Sequence, residues 1–134
     1  MRRLSNYIAK QPPYEINLIY SVNPLIYDSG EIIPAEERFT PTSAGQTPSY
    51  NIVSGNIQID FHAVIEDATI NCPVKTLWIP EHSAYAVLLF TWISKSSMKI
   101  ELHNIYDNNS IIDFTTLNYI EFPFTITKYT QKRF

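Results

Sequence analysis

A length of 134 residues fits one domain, and a hydrophobic content of 45% is enough to build a core without disulfides. Charged residues make up 17% of the chain and aromatic residues 13%, which excludes a chain that is disordered throughout and favours strands and protein interfaces. The longest apolar run, Ala84 to Ile93, is far shorter than the roughly twenty residues of a membrane-crossing helix. The polar stretch Leu4 to Lys10 lacks the apolar core of a secretion signal, and the single Cys72 cannot form an internal disulfide. We therefore expect synthesis in the cytoplasm and no contact with a membrane.

Charge is distributed unevenly along the sequence. All thirteen acidic residues lie between Glu15 and Glu121, and the four basic residues within that body leave it with a net charge of −9. The other six basic residues lie at the two ends: Arg2, Arg3, Lys10, Lys128, Lys132 and Arg133. Basic ends are often simply solvated, but opposite potentials also orient association, so these ends are candidates for contact with an acidic neighbour. They form no contiguous basic stripe, which argues against nucleic acid as the partner.

Glycine and proline mark a boundary near residue 50. All three Gly lie at or before Gly55, and six of the nine Pro lie at or before Pro48. We interpret residues 1–49 as an extended N-terminal arm and residues 50–134 as an antiparallel β domain.

The arm contains one predicted strand and one long loop. Alternating apolar residues predict a strand over residues 14–22, preceded by Pro12-Pro13 and stopped by Asn23-Pro24. Prolines and small polar residues predict an extended loop over residues 34–50. A loop of this length usually serves binding or is a linker.

The remaining chain alternates with period two, which is typical of strands. Residues 57–65 have one apolar and one polar face, whereas residues 84–93 are apolar on both faces and should be covered on both sides by protein, either the arm or a partner. Short turns at Lys95-Ser96-Ser97 and Asp107-Asn108-Asn109-Ser110 separate the later strands, and Pro123 places the last strand at an edge or a bulge. Seven or eight strands at this spacing predict an all-β fold, an antiparallel β-sandwich or a jelly-roll-like domain.

Motifs of catalysis and cofactor binding are missing from the sequence. His62, His82 and His103 share no metal-ligand spacing, and one cysteine gives no zinc signature. The stretch Asp107 to Asp113 begins like a calcium loop but has Ile112 where that loop needs glycine. No Gly-rich phosphate loop or Gly-x-Ser-x-Gly turn occurs. We expect no enzyme, no catalytic or metal site and no cofactor.

Two hypotheses of function remain. The first is a structural or assembly subunit that docks on copies of itself or on other subunits, in organisation similar to a phage decoration, cement or connector protein, and that enters a virus or phage particle. Its arm would add to a neighbour's sheet edge as a strand. The second is a carbohydrate-binding β-sandwich, with Trp78, Trp92, Tyr85 or Tyr106 as a flat platform for sugar rings. Against this, Trp92 lies in the most apolar run of the chain, where a core position is favoured. For the first hypothesis the expected contact residues are Arg2, Arg3, Tyr7, Ile8, Lys10, Tyr14, Ile16, Leu18, Tyr20, Lys128, Lys132 and Arg133.

Overall fold

The structure is a computed structural model and describes residues 14–40 and 47–131. Its described part consists of strands joined by turns and two short 3-10 turns, Pro80–His82 and Phe114–Thr116. The strands are β1 (Tyr14–Asp28), β2 (Glu31–Pro34), β3 (Arg38–Thr40), β4 (Ser49–Val53), β5 (Asn56–Asp60), β6 (Thr69–Asn71), β7 (Leu77–Ile79), β8 (Ala84–Trp92), β9 (Ser97–Asn104), β10 (Ser110–Ile112) and β11 (Tyr119–Gln131). No helix in these two ranges is long and apolar enough to cross a membrane.

The strands form two antiparallel sheets. The first sheet has the order β2-β1-β11-β6, with β3 also paired to β1. The second has the order β4-β5-β9-β8-β7, with β10 also paired to β9. This arrangement confirms the predicted all-β sandwich.

The core fills the space between the sheets. On β1 the side chains of Leu18, Tyr20 and Val22 are buried, as the period-two pattern predicts. The second sheet contributes mostly aliphatic side chains from its central strands, and β11 adds two phenylalanines. These buried residues include Ile57, Ile59, Met98, Ile100, Leu102, Phe122 and Phe124.

Strand β1 is longer than the sequence indicated. Asn23-Pro24 does not stop it but forms an irregularity in the pairing with β11, between Val22 and Leu25. The backbone groups at this point are satisfied from the β2–β3 connection, because the Asn23 N–H donates to the Ala35 carbonyl and the Ala35 N–H to the Pro24 carbonyl, both at 3.0 Å. The strand therefore passes through a bulge and continues to Asp28.

The position of β1 bears on the boundary near residue 50. Strand β1 lies inside the first sheet, between β11 on one side and β2 and β3 on the other. The predicted loop over residues 34–50 also contains β3 and the start of β4. The boundary near residue 50 predicts that residues 50–134 keep most of the β core without the arm, and this stays a prediction. The pairing of β1 with β11 leads us to expect instead that this fragment does not fold.

The later turns follow the sequence pattern. Strands β8 and β9 form a hairpin closed by residues 93–96, and Asn108 and Asn109 both have left-handed backbone geometry, with φ of 48° and 57°. Pro123 lies opposite the bulge of β1 and beyond the part of β11 that pairs with β6, so its missing N–H leaves no gap in a ladder. The prediction of a bulge at this proline is confirmed.

Candidate functional site

The outer face of the second sheet carries most of its large exposed apolar side chains at one end. Across the strands, Trp78 of β7 lies beside Tyr85 of β8, and Val87 lies beside His103 of β9, which in turn lies beside Ile111 of β10. The next row on this face pairs Leu89 of β8 with Glu101 of β9, and the row after it pairs Thr91 with Lys99. Apolar character is thus concentrated on β7, the first half of β8, and β10.

Six large apolar side chains at this end of the sheet are exposed. We call them the outer apolar patch: Trp78, Tyr85, Leu89, Ile105, Tyr106 and Ile111, with exposed fractions between 41% and 69%. The second apolar face predicted for β8 therefore exists, but no part of the described chain covers it. Contiguous exposed apolar surface of this kind is typical of interaction sites.

Three aromatic rings form the centre of the patch. The Trp78 and Tyr85 rings lie edge to face, with centroids 5.0 Å apart and planes at 64°. The Tyr85 and Tyr106 rings are 6.4 Å apart and tilted by 58°. The three rings contact one another but do not lie in one plane. The fourth predicted platform residue, Trp92, is half-buried and packs against the core.

A buried carboxylate separates the patch from the polar half of the same face. Glu101 is only 6% exposed, although it lies on the outward side of β9. Its carboxylate lies 3.8 Å from Lys99 Nζ on one side and 3.8 Å from His103 Nε2 on the other. The His103 ring is oriented by Nδ1, which donates to the Asn109 carbonyl at 3.0 Å. These contacts fix the polar border of the patch.

The predicted contact residues fall into four groups. Leu18 and Tyr20 are buried in the core, so they are not available to a partner, and we withdraw them as contact residues. Lys128 is half-buried, with Nζ 3.5 Å from the Val64 carbonyl. Seven others lie outside the described residues: Arg2, Arg3, Tyr7, Ile8, Lys10, Lys132 and Arg133. For Tyr14 and Ile16 the structure describes the backbone but not the side chain.

Sequence patterns did not indicate a second feature, a hydrogen-bonded cluster between the sheets. The hydroxyl of Tyr20 donates to Glu37 Oε2 at 3.0 Å, the hydroxyl of Tyr50 donates to the same oxygen, and the two hydroxyls also contact each other. Burial and the neighbouring carboxylate raise the pKa of Tyr20 far above its ordinary value. Burial also raises the pKa of Glu37, although the bond from Tyr20 opposes that effect. The cluster joins β1, the β2–β3 connection and β4.

The Glu37 carboxyl should make stability depend on pH in a defined direction. Its pKa in the folded protein lies above the ordinary value of 4.5, so its stabilising contribution is complete below that value and is lost as pH rises through the folded pKa. Glu37→Gln keeps an acceptor for both tyrosines and stays neutral. We expect urea unfolding at pH 4, 5.5 and 7 to show that the free energy of unfolding of the variant rises relative to that of the parent as pH rises. The change should be less than about 1 kcal/mol because the site is partly solvated. A difference that does not change with pH would count against this role.

The outer face of the first sheet carries a polar row rather than an apolar patch. Arg38, Ser21, Thr125 and Asn71 lie side by side on four neighbouring strands. They line part of a groove of about 590 Å³, and the side chains of these four residues form no hydrogen bond or ion pair with one another. Within residues 14–40 and 47–131, no three His, Cys, Asp or Glu side chains are placed to hold a metal ion. On the second sheet, the Ser49 hydroxyl lies 2.8 Å from His62 Nε2, and His62 Nδ1 lies 3.7 Å from the Asp60 carboxylate.

Comparison with known proteins adds no relative to this description. No protein-family model matches the chain, and no curated protein or solved structure matches it either.

Proposed function

We propose that the protein is a non-enzymatic assembly subunit that docks on neighbouring protein subunits through the outer apolar patch. The single observation that supports this proposal most is the exposure of six uncharged apolar side chains on one end of one sheet face. Tyrosine and tryptophan at the centre of such a surface are the residue types that most often supply binding energy between proteins. Beside the patch, Lys99 and His103 keep part of their surface exposed around the buried Glu101 carboxylate, and partly hydrated polar groups of this kind suit the rim of an interface.

The narrower form of the proposal is a component of a virus or phage particle, such as a decoration, cement or connector protein. It depends on two features of the sequence, the Pro-containing N-terminal segment and the basic residues at both ends of an acidic body. Opposite charges on the ends and the body would orient copies of the chain, or other subunits, as they meet.

A carbohydrate-binding module is the second candidate, because Trp78, Tyr85 and Tyr106 are exposed together. Sugar rings stack on the flat faces of aromatic side chains. Angles of 64° and 58° between the ring planes favour a three-dimensional protein contact over a flat platform.

Paired tyrosine substitutions test the proposal. Tyr85→Ser with Tyr106→Ser removes two rings of the patch, whereas Tyr119→Ser with Tyr129→Ser removes two rings of similar exposure from β11 of the first sheet. We expect the first pair to weaken association at least tenfold in sedimentation measured over a range of concentrations, because central aromatic contacts commonly contribute about 2 kcal/mol or more. The second pair should leave association unchanged.

For both double variants, the free energy of unfolding should differ from that of the parent by no more than about 0.5 kcal/mol per substituted position. This control separates lost binding from lost folding. If the patch pair associates like the parent, the docking role is wrong. A clear response on a glycan array that only the patch pair loses would favour the carbohydrate alternative.

A further inference from the structure

One edge of β8 is open over most of its length. Strand β7 pairs with β8 only from Ala84 to Ala86, whereas β9 pairs with β8 as far as Trp92. From Val87 to Trp92, no described strand pairs with the side of β8 that faces away from β9.

The hydrogen bonds at both ends of the hairpin show which residues face this edge. The Ile105 N–H donates to the Tyr85 carbonyl at 3.2 Å, and the Ile93 N–H donates to the Ser97 carbonyl at 3.0 Å. In an antiparallel ladder, alternate residues direct both backbone groups to the same neighbour, so the odd-numbered residues of β8 bond to β9. The N–H and C=O groups of Leu88, Phe90 and Trp92 therefore point to the open edge, where the described residues offer them no partner.

The strand residues at this open edge are not of the types that usually protect a sheet edge. Residues 88–92 are Leu-Leu-Phe-Thr-Trp, without a charge or a proline. Natural proteins commonly cover, charge or shorten such an edge because it pairs readily with another extended chain. An uncovered edge of this kind is suited to strand addition.

An apolar cleft lies directly beside the edge. It measures about 400 Å³ and is lined by Ile70, Cys72, Val74, Lys75, Leu88, Leu89 and Phe90. It therefore lies between β6 of the first sheet and β8 of the second. An added strand would direct one set of alternate side chains toward this cleft and the other set toward the outer face of the second sheet, which carries the outer apolar patch.

We propose that the edge from Leu88 to Trp92 binds residues 1–13 of a second copy of this chain as an added antiparallel strand. The proposal rests on the proposed docking function and names its occupant. Antiparallel addition continues the pattern of every pairing in the second sheet.

The length and residue pattern of the N-terminal segment fit this edge. Thirteen residues precede the described part and span up to roughly 43 Å when extended, more than twice the roughly 17 Å of a five-residue strand. Alternation would place Tyr7, between the small Ser5 and Ala9, on one side, and Leu4 and Ile8 on the other. One large ring then faces one cleft, and two aliphatic side chains face the patch.

Charge and proline support the same occupant. The segment carries Arg2, Arg3 and Lys10 and has no acidic residue, whereas residues 15–121 have a net charge of −9. Pro12 and Pro13 lack the N–H that a ladder needs, so an added strand ends before them and the chain is released toward its own β1.

Synthetic peptides of residues 1–13, added to the full-length chain, test the inference. One peptide is N-methylated at Ser5, Tyr7 and Ala9, and the other at Asn6 and Ile8. Only one of these sets can donate to the edge, so we expect one modified peptide to lose binding at least tenfold while the other binds like the unmodified peptide. Hydrogen exchange of the full-length chain should slow at residues 88–92 when an active peptide binds.

A full-length variant provides the second readout. Tyr7→Ser with Ile8→Ser changes no described residue, so we expect unchanged unfolding and at least tenfold weaker self-association in sedimentation. Equal binding by both N-methylated peptides, or undiminished self-association of this variant, would overturn the inference. If this variant associates like the parent while the Tyr85 and Tyr106 double variant does not, the outer apolar patch still docks, but residues 1–13 are not what binds the edge. Pairing of β8 with β8 of a second copy would give that result.

Discussion

A fragment of residues 50–134 is expected to show no cooperative unfolding transition. It lacks β1, which pairs with β11 along nearly its whole length and buries Leu18, Tyr20, Val22, Leu25 and Tyr27. Burial of one large apolar side chain contributes about 1.5 to 3 kcal/mol. Five of them together contribute about as much as the whole stability of a typical domain, about 5 to 15 kcal/mol. Loss of β1 would also expose the edge of β11.

Circular dichroism with urea titration checks this expectation. The matched control is residues 14–134, which also lacks the N-terminal segment but keeps β1, and it should unfold cooperatively. If residues 50–134 gave a strand spectrum with a sigmoidal transition, β1 would be dispensable and the boundary near residue 50 would mark two folding units.

Tyr20→Ala is expected to have the largest effect of any single substitution on the stability of the folded chain. Its ring is fully buried and lies 4.9 Å from Phe61, 5.7 Å from Phe124 and 6.0 Å from Phe39, measured between centroids. Truncating a buried aromatic side chain usually costs about 3 to 5 kcal/mol. The substitution also removes one of the two hydroxyls that donate to Glu37.

Tyr20→Phe separates the two contributions. It keeps the ring and removes only the hydroxyl, which bonds to the Glu37 carboxyl and contacts the Tyr50 hydroxyl; this loss should cost about 1.5 to 3 kcal/mol. Urea unfolding of both variants beside the parent gives the comparison. Equal losses would mean that the ring packs no better than a methyl group, which contradicts the contacts between the sheets.

Local patterns predicted which side chains face the core. The alternation of Leu18, Tyr20 and Val22, and that of Ile57 and Ile59, correctly indicated buried positions. Asn23-Pro24 was misread as a stop, because the groups that satisfy its backbone lie on a partner strand and beyond β2, where no local pattern shows them. A turn signal in the sequence shows the local backbone preference. It does not show which distant backbone groups will bond to the residues at that turn.

The candidate docking surface was predictable only in part. Apolar residues on both sides of β8 indicated that one face would need a cover, and three of the four suggested aromatic residues do lie together in the patch. The apolar run around Trp92 favoured a core position over the platform, and its ring does pack against the core. Tyr106 meets Tyr85 only because of how β9 pairs with β8, and the open edge exists only because β7 is short. Both depend on non-local pairing.

Hydrogen exchange of the full-length chain, measured below and above the concentration at which it associates, tests the central claim most directly. Docking through the second sheet should slow exchange at residues 78–92 and 105–111 when copies associate. Exchange at the backbone amides of β11, which lies in the first sheet, should stay the same. Unchanged exchange at residues 78–92 in an associated sample, or slowing confined to the outer face of the first sheet, would contradict the claim.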